Sequence, residues 1–196
     1  MVAGTAGNIS ARCGAVVAVT PTGAELATLT AEQVSVVDLD GVVVEGDLEP
    51  TSELGLHLGV YERYGSAAVV HTHAPAATAL ASVRDELPAI HYQVLALGGP
   101  VRVAAYATFG SPELAVRVLD ALEGRTAALM ANHGALTHGH TLEAAVQNMR
   151  LLEWLCDLYA RAAAIGEPRV LGATELDAVL EAVTTRGYGA VREHEA

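Results

Sequence analysis

Two histidines separated by one residue stand at the end of an apolar run. The run AAVVHTHA, residues 67–74, contains His71 and His73. Side chains alternate between the two faces of a β-strand, so in an extended run both imidazoles lie on the same face and can reach one ion. Neutral imidazole is the commonest protein ligand for metals. Taken by itself, the HxH pair fits a metal site and a pair of surface or core histidines equally well.

Two further residues extend this pair to a ligand set. His133 lies in the glycine-bounded turn ANHGAL, and Glu53 lies in TSEL. Three imidazoles and one carboxylate suit zinc or another first-row divalent ion, and such a site can exchange a ligand for substrate. Because these residues are distant in sequence, their convergence is a hypothesis. The remaining histidines are interpreted as structural or solvated, with the last HxH pair as a weak second candidate: His57, His91, His194, His138 and His140.

Three short segments offer hydrogen-bond donors for an anion. Two are the glycine-rich turns GTAGNIS, residues 4–10, and TPTG, residues 20–23. Such turns present N–H and hydroxyl groups with no bulky side chain in the way. The third, TSE at residues 51–53, places two hydroxyls at a predicted helix N-terminus, where the helix dipole favours a phosphate. Each alone is typical of an ordinary turn or cap, but together they favour a small phosphorylated substrate.

Composition sets the class of protein. The 196 residues are 52% hydrophobic and 17% charged, which predicts one globular domain over residues 1–196. Eleven Lys+Arg against 23 Asp+Glu give a net charge of −12, which argues against a nucleic-acid partner. All the basic residues are arginines, so chemistry through a lysine Schiff base is excluded.

Other functional classes find little support in the sequence. The two cysteines, Cys13 and Cys156, are too few for a disulfide framework and are interpreted as ordinary thiols. No apolar stretch approaches the roughly 18 residues of a membrane span, and the N-terminus does not resemble a signal peptide. We therefore expect a cytoplasmic protein with no membrane partner.

Periodicity and turn residues predict an α/β chain. Strands are predicted in residues 15–20, 34–41, 42–46, 67–74 and 101–106, and on both sides of the turn at 132–134. Helices are predicted from Thr51 or Ser52 to Gly65, and over residues 75–83, 111–122, 141–165 and 174–186. Hairpin signals and adjacent short strands favour a mostly antiparallel sheet covered by helices.

The order of the motifs resembles one known family. GTAGNIS, TPTG, TSE, HTHAPAATALA, PAIHY, AAYATFG and NHG occur in the order found in class II aldolase and adducin-type proteins, from Gly4 to about Gly189. The similarity is greatest to the fuculose-phosphate aldolase branch, for which PAIHY followed by AYATFGSPEL is typical. The resemblance implies a three-layer α/β/α fold with a mostly antiparallel central sheet. It also implies a homotetramer with active sites at subunit interfaces and a helix before GTAGN, which this sequence lacks.

The resemblance also assigns roles by motif position. The metal ligands would be Glu53, His71, His73 and His133, holding one zinc ion per subunit, with manganese or cobalt also compatible. The residues that hold the substrate phosphate would be Gly7, Asn8, Thr22, Gly23, Thr51 and Ser52. The catalytic residues would be Glu53, Tyr106, acting on the neighbouring subunit's substrate, and Tyr188 in the tail RGYG.

The implied reaction is the reversible cleavage of a ketose 1-phosphate, such as L-fuculose 1-phosphate, to dihydroxyacetone phosphate and a short aldehyde such as lactaldehyde. In this reaction Tyr106 takes the proton of the C4 hydroxyl and Glu53 protonates the enediolate carbon. Three alternatives remain open. A pentulose-5-phosphate 4-epimerase would carry Asp in place of Glu53, a methylthio-pentulose-phosphate dehydratase matches less well, and a non-catalytic adducin-like interaction module would be expected to lose metal ligands.

Overall fold

The computed structural model describes residues 4–186, and nine of its strands form one sheet in the order β4-β3-β2-β1-β5-β9-β8-β7-β6. The strands are β1 Asn8–Cys13, β2 Val16–Val19, β3 Ser35–Asp38, β4 Val43–Glu45, β5 Ala68–Thr72, β6 Glu86–Leu87, β7 Val101–Ala104, β8 Ala127–Met130 and β9 Gly134–Gly139. Only β7 and β8 pair in parallel, and every other neighbouring pair is antiparallel. The predicted mostly antiparallel sheet is confirmed.

Five α-helices and two short 3-10 helices accompany the sheet in the described part of the chain. The α-helices are α1 Leu54–Tyr64, α2 Pro75–Ala81, α3 Pro112–Ala121, α4 Leu142–Ile165 and α5 Ala173–Arg186. The 3-10 helices are Ala31–Gln33 and Tyr92–Leu97. Among residues 4–186 no helix is both long and apolar enough to cross a membrane.

Two details of the elements differ from the sequence prediction. The segment around Asn8 was predicted only as a glycine-rich turn, but Asn8–Cys13 is a strand because it pairs with β2 on one side and β5 on the other. Helix α1 has Glu53, not Thr51 or Ser52, at its N-cap, and the Glu53 side chain makes no capping hydrogen bond because it points to other partners. Gly65 ends α1 in a left-handed conformation, as expected.

Two hydrophobic cores share the central strands. On β5, Val70 belongs to one core and its neighbour Val69 to the other, as the alternation of a strand requires. The core around Val70 includes buried residues of α2 and α4, and the core around Val69 includes buried residues of α1 and α3. Burial of both faces explains why the strand prediction for this region rests on a continuous apolar run.

Strand pairing brings distant residues to one end of the sheet. In the antiparallel register, Asn8 at the start of β1 lies opposite His71 near the end of β5. On the other side of β5, Thr72 lies opposite Ala135 at the start of β9, directly after the turn that contains His133. This end of the sheet therefore carries Asn8 of β1, His71 of β5 and the turn before β9 that contains His133.

Candidate metal centre

The structure brings the three predicted histidines together. The Nε2 atoms of His71 and His73 are 3.1 Å apart, and the ring of His133 lies 4.9 Å from that of His71 and 4.8 Å from that of His73, centroid to centroid. One ligating nitrogen from each of the three lies within 4.8 Å of the others. His71 lies on β5, His73 follows the last residue of that strand, and the β8–β9 turn supplies His133.

Glu53 completes the cluster from the N-terminus of α1. Its Oε2 lies 3.2 Å from Nε2 of His71, and its Oε1 lies 3.7 Å from Nε2 of His133. The carboxylate is buried, and its Oε1 has no hydrogen-bond partner among the described residues. Buried polar atoms normally have a partner, so an oxygen left free beside three imidazoles fits a metal ligand.

The orientation of His71 suits a ligand as well. Its Nδ1 donates to the backbone carbonyl of Ala135 over 3.0 Å, which leaves Nε2 facing the cluster. Such a contact fixes the tautomer and ring orientation of ligating histidines in metal sites generally. The three imidazoles and one carboxylate therefore form a donor set that fits zinc or a related divalent ion.

Burial and neighbouring charges shift the pKa values of His71, His133 and Glu53. It lowers the pKa of His71 to about 4, against an opposing effect of the Glu53 charge, and it also lowers the pKa of His133. Burial raises the pKa of Glu53, but His71 and the hydrogen bond from Asn8 lower it more, so its pKa is below the ordinary value. At neutral pH His71 and His133 are therefore neutral and the Glu53 carboxylate is ionised, as metal ligation requires.

A pocket of about 290 Å³ opens beside the cluster. Glu53, His73 and His133 line it, while His71 lies fully buried outside its lining. The candidate phosphate-binding residues all line the same pocket: Gly7, Asn8, Thr22, Gly23, Thr51 and Ser52. No lysine or arginine occurs among the described residues that line it. A phosphate there would be held by N–H groups, hydroxyls and the dipole of α1.

Two predicted residues have surroundings that the sequence does not indicate. The side chain of Asn8 donates through Nδ2 to Oε2 of Glu53 over 3.0 Å. One of its two N–H donors is therefore bound to the carboxylate. Tyr106 lines the pocket of its own chain and is 59% exposed, whereas the resemblance places it at the substrate of a neighbouring subunit. Tyr188 lies outside the described residues.

Three further residues at or behind the pocket were not predicted from the sequence to belong to the site. Asn132 and Phe109 line the pocket, and Asn132 adopts a left-handed φ of 54°, which asparagine tolerates better than most residues. His57, interpreted as structural or solvated, is fully buried and donates from Nε2 to Oδ1 of Asn8 over 2.6 Å. The available signal was its spacing, since His57 follows Glu53 by one helical turn.

His138, by contrast, has the structural role expected of it. Its Nδ1 lies 2.7 Å from Oγ of Ser66, and its Nε2 lies 3.0 Å from the backbone carbonyl of Arg125. Both ring nitrogens therefore have protein partners, and the weak second HxH pair contributes no metal-ligand cluster in the described part of the chain.

The chain is similar to known proteins in both sequence and fold. A family model described as Class II Aldolase and Adducin N-terminal domain matches residues 1–160. The chain is 42% identical over 189 residues to a 5-methylthioribulose-1-phosphate/5-deoxyribulose-1-phosphate aldolase of Rhodospirillum rubrum, covering 95% of this chain and 85% of the relative. It is 40% identical over 187 residues to the L-fuculose phosphate aldolase of Escherichia coli K12, covering 94% and 86%. A solved L-fuculose 1-phosphate aldolase superposes with a TM-score of 0.87 at 38% identity, covering 92% of this chain and 87% of the other.

Proposed function

This chain belongs to the class II aldolase and adducin family, and we propose that it is a metal-dependent lyase that reversibly cleaves a ketose 1-phosphate to dihydroxyacetone phosphate and a short aldehyde. One observation carries the proposal. The buried carboxylate of Glu53, with one oxygen free, stands among three imidazoles beside a pocket of N–H and hydroxyl donors. A buried carboxylate oxygen without a hydrogen-bond partner is costly, and a non-catalytic scaffold protein would gain nothing from it.

The metal in the proposal is held by Glu53, His71, His73 and His133. Zinc is the first choice, and manganese or cobalt is compatible with the same ligands. A bound divalent ion supplies a Lewis acid that stabilises the negative charge of an enediolate. The absence of lysine from the sequence agrees with chemistry that needs no Schiff base.

The phosphate of the substrate is proposed to lie against the two glycine turns and the start of α1. The residues concerned are Gly7, Asn8, Thr22, Gly23, Thr51 and Ser52. Gly7 and Gly23 support this assignment because both have positive φ values, 89° and 70°, that side-chain-bearing residues rarely adopt. Such a backbone can turn its N–H groups toward an anion without a side chain in the way.

Two side chains are proposed to move protons. In cleavage, Tyr106 takes the proton of the C4 hydroxyl as the C3–C4 bond breaks, and Glu53 then delivers a proton to the enediolate carbon. The roles reverse in condensation. The exposure of Tyr106 agrees with a ring that acts on the substrate of a neighbouring subunit, and the free Oε1 of Glu53 agrees with a proton carrier. Tyr188 is proposed, from the motif resemblance alone, as a further contact from the C-terminal tail.

The substrate class follows from what the named relatives share. Their names specify 5-methylthioribulose, 5-deoxyribulose and fuculose phosphates, which have a similar phosphorylated end and different aldehyde halves. We therefore include all three sugars among the candidate substrates. The exposed ring of Phe109 at the pocket supports an apolar contact with a methyl or methylthio group at the far end of the sugar.

The proposal extends to the assembly. A single domain of three α/β/α layers is supported by the two cores that share the central strands. A homotetramer with active sites at subunit interfaces is supported by the exposure of Tyr106 and Phe109, 59% and 68%, beside the pocket.

A coupled assay for dihydroxyacetone phosphate tests the proposal. Zinc-loaded protein is given L-fuculose 1-phosphate, 5-deoxyribulose 1-phosphate and 5-methylthioribulose 1-phosphate, with ribulose 5-phosphate as a control that has no 1-phosphate. We expect chelator-sensitive release from at least one of the three and none from the control. Zinc-loaded protein that releases dihydroxyacetone phosphate from none of them would contradict the proposal.

A further inference from the structure

A continuous chain of buried hydrogen bonds runs behind Glu53. The hydroxyl of Tyr61 lies 2.6 Å from Oγ of Ser10, which lies 2.6 Å from Nδ1 of His57. Nε2 of His57 lies 2.6 Å from Oδ1 of Asn8, whose Nδ2 lies 3.0 Å from Oε2 of Glu53. All five side chains are buried. Nothing in the proposed reaction accounts for the far part of this chain.

The chemistry of the groups fixes the direction of every bond. An ionised Glu53 only accepts, so Asn8 must turn its NH₂ to the carboxylate and its carbonyl oxygen to His57. His57 must then carry its proton on Nε2. Burial lowers the pKa of His57 to about 3, so the ring is neutral and Nδ1 accepts from the Ser10 hydroxyl. Ser10 in turn accepts from the Tyr61 hydroxyl. The donor and the acceptor of every hydrogen bond in the chain are thereby fixed.

Secondary structure explains how five separated residues meet. Asn8 and Ser10 are two apart on β1, so their side chains lie on the same face of the sheet. Glu53, His57 and Tyr61 follow one another at intervals of four residues along α1, so they lie on one face of the helix. The chain of hydrogen bonds joins these two faces.

We propose that His57 is a positioning residue for the metal-centre carboxylate: by donating from Nε2 to Asn8, it holds the Asn8 amide against Oε2 of Glu53 and leaves Oε1 free for the metal or for a proton. The inference rests on the proposed function of Glu53. It adds a reason why the carboxylate keeps its place when it serves first as a ligand and then as an acid or base. Fixing ligands through outer hydrogen bonds is a general property of metal sites.

The fold itself offers a matched control. His138 also receives a serine hydroxyl at Nδ1, from Ser66, and donates from Nε2, but its acceptor is the backbone carbonyl of Arg125 and not a residue of the metal centre. A purely structural role for His57 would make the two serine–histidine pairs equivalent. Replacing each histidine by phenylalanine removes both hydrogen bonds and keeps a planar ring of similar size.

The experiment compares His57→Phe, His57→Gln and His138→Phe with the wild type in the full-length protein. Zinc affinity is measured by competition with a chromophoric chelator, and proton exchange at dihydroxyacetone phosphate is measured by NMR in heavy water. We expect His57→Phe to lower zinc affinity, exchange or both by about 10–100-fold, the usual effect of losing an outer hydrogen bond at a metal site. Glutamine places an N–H close to the Nε2 position, so His57→Gln should recover most of the loss, and His138→Phe should retain wild-type values.

Equal zinc affinity and exchange in His57→Phe and His138→Phe would overturn the inference, and so would a His57→Gln variant as impaired as His57→Phe. If His57→Phe does not fold, His57→Leu takes its place, because leucine fills part of the same buried space and offers no donor to Asn8. Unchanged affinity and exchange in His57→Leu would then contradict the role of His57. A wild type that binds zinc without proton exchange would contradict the proposed function instead, and the zinc affinities would still decide the role of His57.

Discussion

In the proposed reaction the Glu53 carboxylate has two duties, first as a metal ligand and then as an acid or base. Its two oxygens are in different surroundings: Oε2 accepts from Asn8, and Oε1 has no partner among the described residues. A metal ligand and a proton carrier both need a free oxygen that is held in place. The asymmetry of the carboxylate provides this.

Glu53→Gln separates these two duties. Glutamine retains the shape and one carbonyl oxygen as a donor atom but cannot carry a proton as a carboxylate does, so proton exchange at dihydroxyacetone phosphate should fall by about 10²–10⁴-fold. The three histidines should still hold zinc, with lower affinity. Exchange followed by NMR and bound zinc measured by elemental analysis check this together. Exchange at the wild-type rate in a zinc-loaded variant would rule out Glu53 as the proton carrier.

Tyr106→Phe addresses the other proton. The proposed role concerns only the C4 hydroxyl, which is absent from dihydroxyacetone phosphate, so cleavage should slow by about 10²-fold or more while exchange stays near the wild-type rate. The two rates are compared on the same zinc-loaded sample. A parallel loss of both rates, or the loss of neither, would assign the C4 proton to a different group.

Among the secondary-structure elements, β5 and β9 approach each other closely beside the candidate metal centre. Gly134, the first residue of β9, lies so close to β5 that a Cβ atom there would be 2.3 Å from the carbonyl oxygen of Thr72 and 3.2 Å from the ring of His73. Backbone atoms yield little, so any side chain at this position must push the strands apart. His133 precedes this glycine directly, and His73 follows Thr72.

Gly134→Ala should therefore impair both the fold and the site. We expect a loss of about 1–3 kcal/mol in the free energy of unfolding, as for other overpacked positions, together with weaker zinc binding. Chemical denaturation and chelator competition measure the two effects. Gly166→Ala is the control, because a Cβ atom there meets nothing within 4 Å and its φ of 174° is ordinary extended backbone. A Gly134→Ala variant as stable as Gly166→Ala would show that the strands are free to separate.

The contact between α1 and β1 should make the metal-free protein sensitive to acid. In the fold the pKa of His57 is about 3, against an ordinary value of 6.5, so between these values the unfolded chain binds a proton that the native chain does not. The free energy of unfolding should therefore fall as the pH is lowered from 6.5 towards 3, and be greatest above 6.5. Burial of His71, whose pKa is about 4, acts in the same direction.

Denaturant melts at a series of pH values, with a chelator present, measure this dependence. His57→Gln removes one of the contributing groups and should give a shallower dependence on pH than the wild type. Identical slopes for the two proteins between pH 6.5 and 4 would contradict the assignment of a buried, neutral His57.

Across the whole molecule, features that depend on local sequence patterns could be predicted better than features that depend on long-range contacts. The HxH spacing was sufficient to predict that His71 and His73 meet, although β5 ends at Thr72 between them, and hairpin signals were sufficient for a mostly antiparallel sheet. The strand Asn8–Cys13 was missed because its pairing with β5 joins residues about sixty positions apart, although its hairpin with β2 is local and turns at Gly14. The glycines before it mark a turn, and the sequence shows no sign of where the turn ends.

The hydrogen-bond chain behind Glu53 was out of reach for the same reason. Asn8 and Glu53 are separated by 45 residues, and Ser10 and Tyr61 by 51. Each partner is an ordinary polar residue in its own segment, and its role exists only once β1 lies against α1. The candidate metal ligands could be predicted because a histidine is informative alone, whereas Asn8, Ser10 and His57 become informative only through their contacts with one another.

If a divalent metal at this histidine cluster makes the chain an aldolase, activity should follow the occupancy of the site by zinc in a titration. The wild-type protein is stripped with a chelator, zinc is added back in steps, and dihydroxyacetone phosphate release from the best ketose 1-phosphate is measured at each step. We expect no release from the stripped protein and a linear recovery that ends at about one zinc per chain, as expected of a single four-ligand site. Full release from the stripped protein, or none after zinc has bound, would contradict the account.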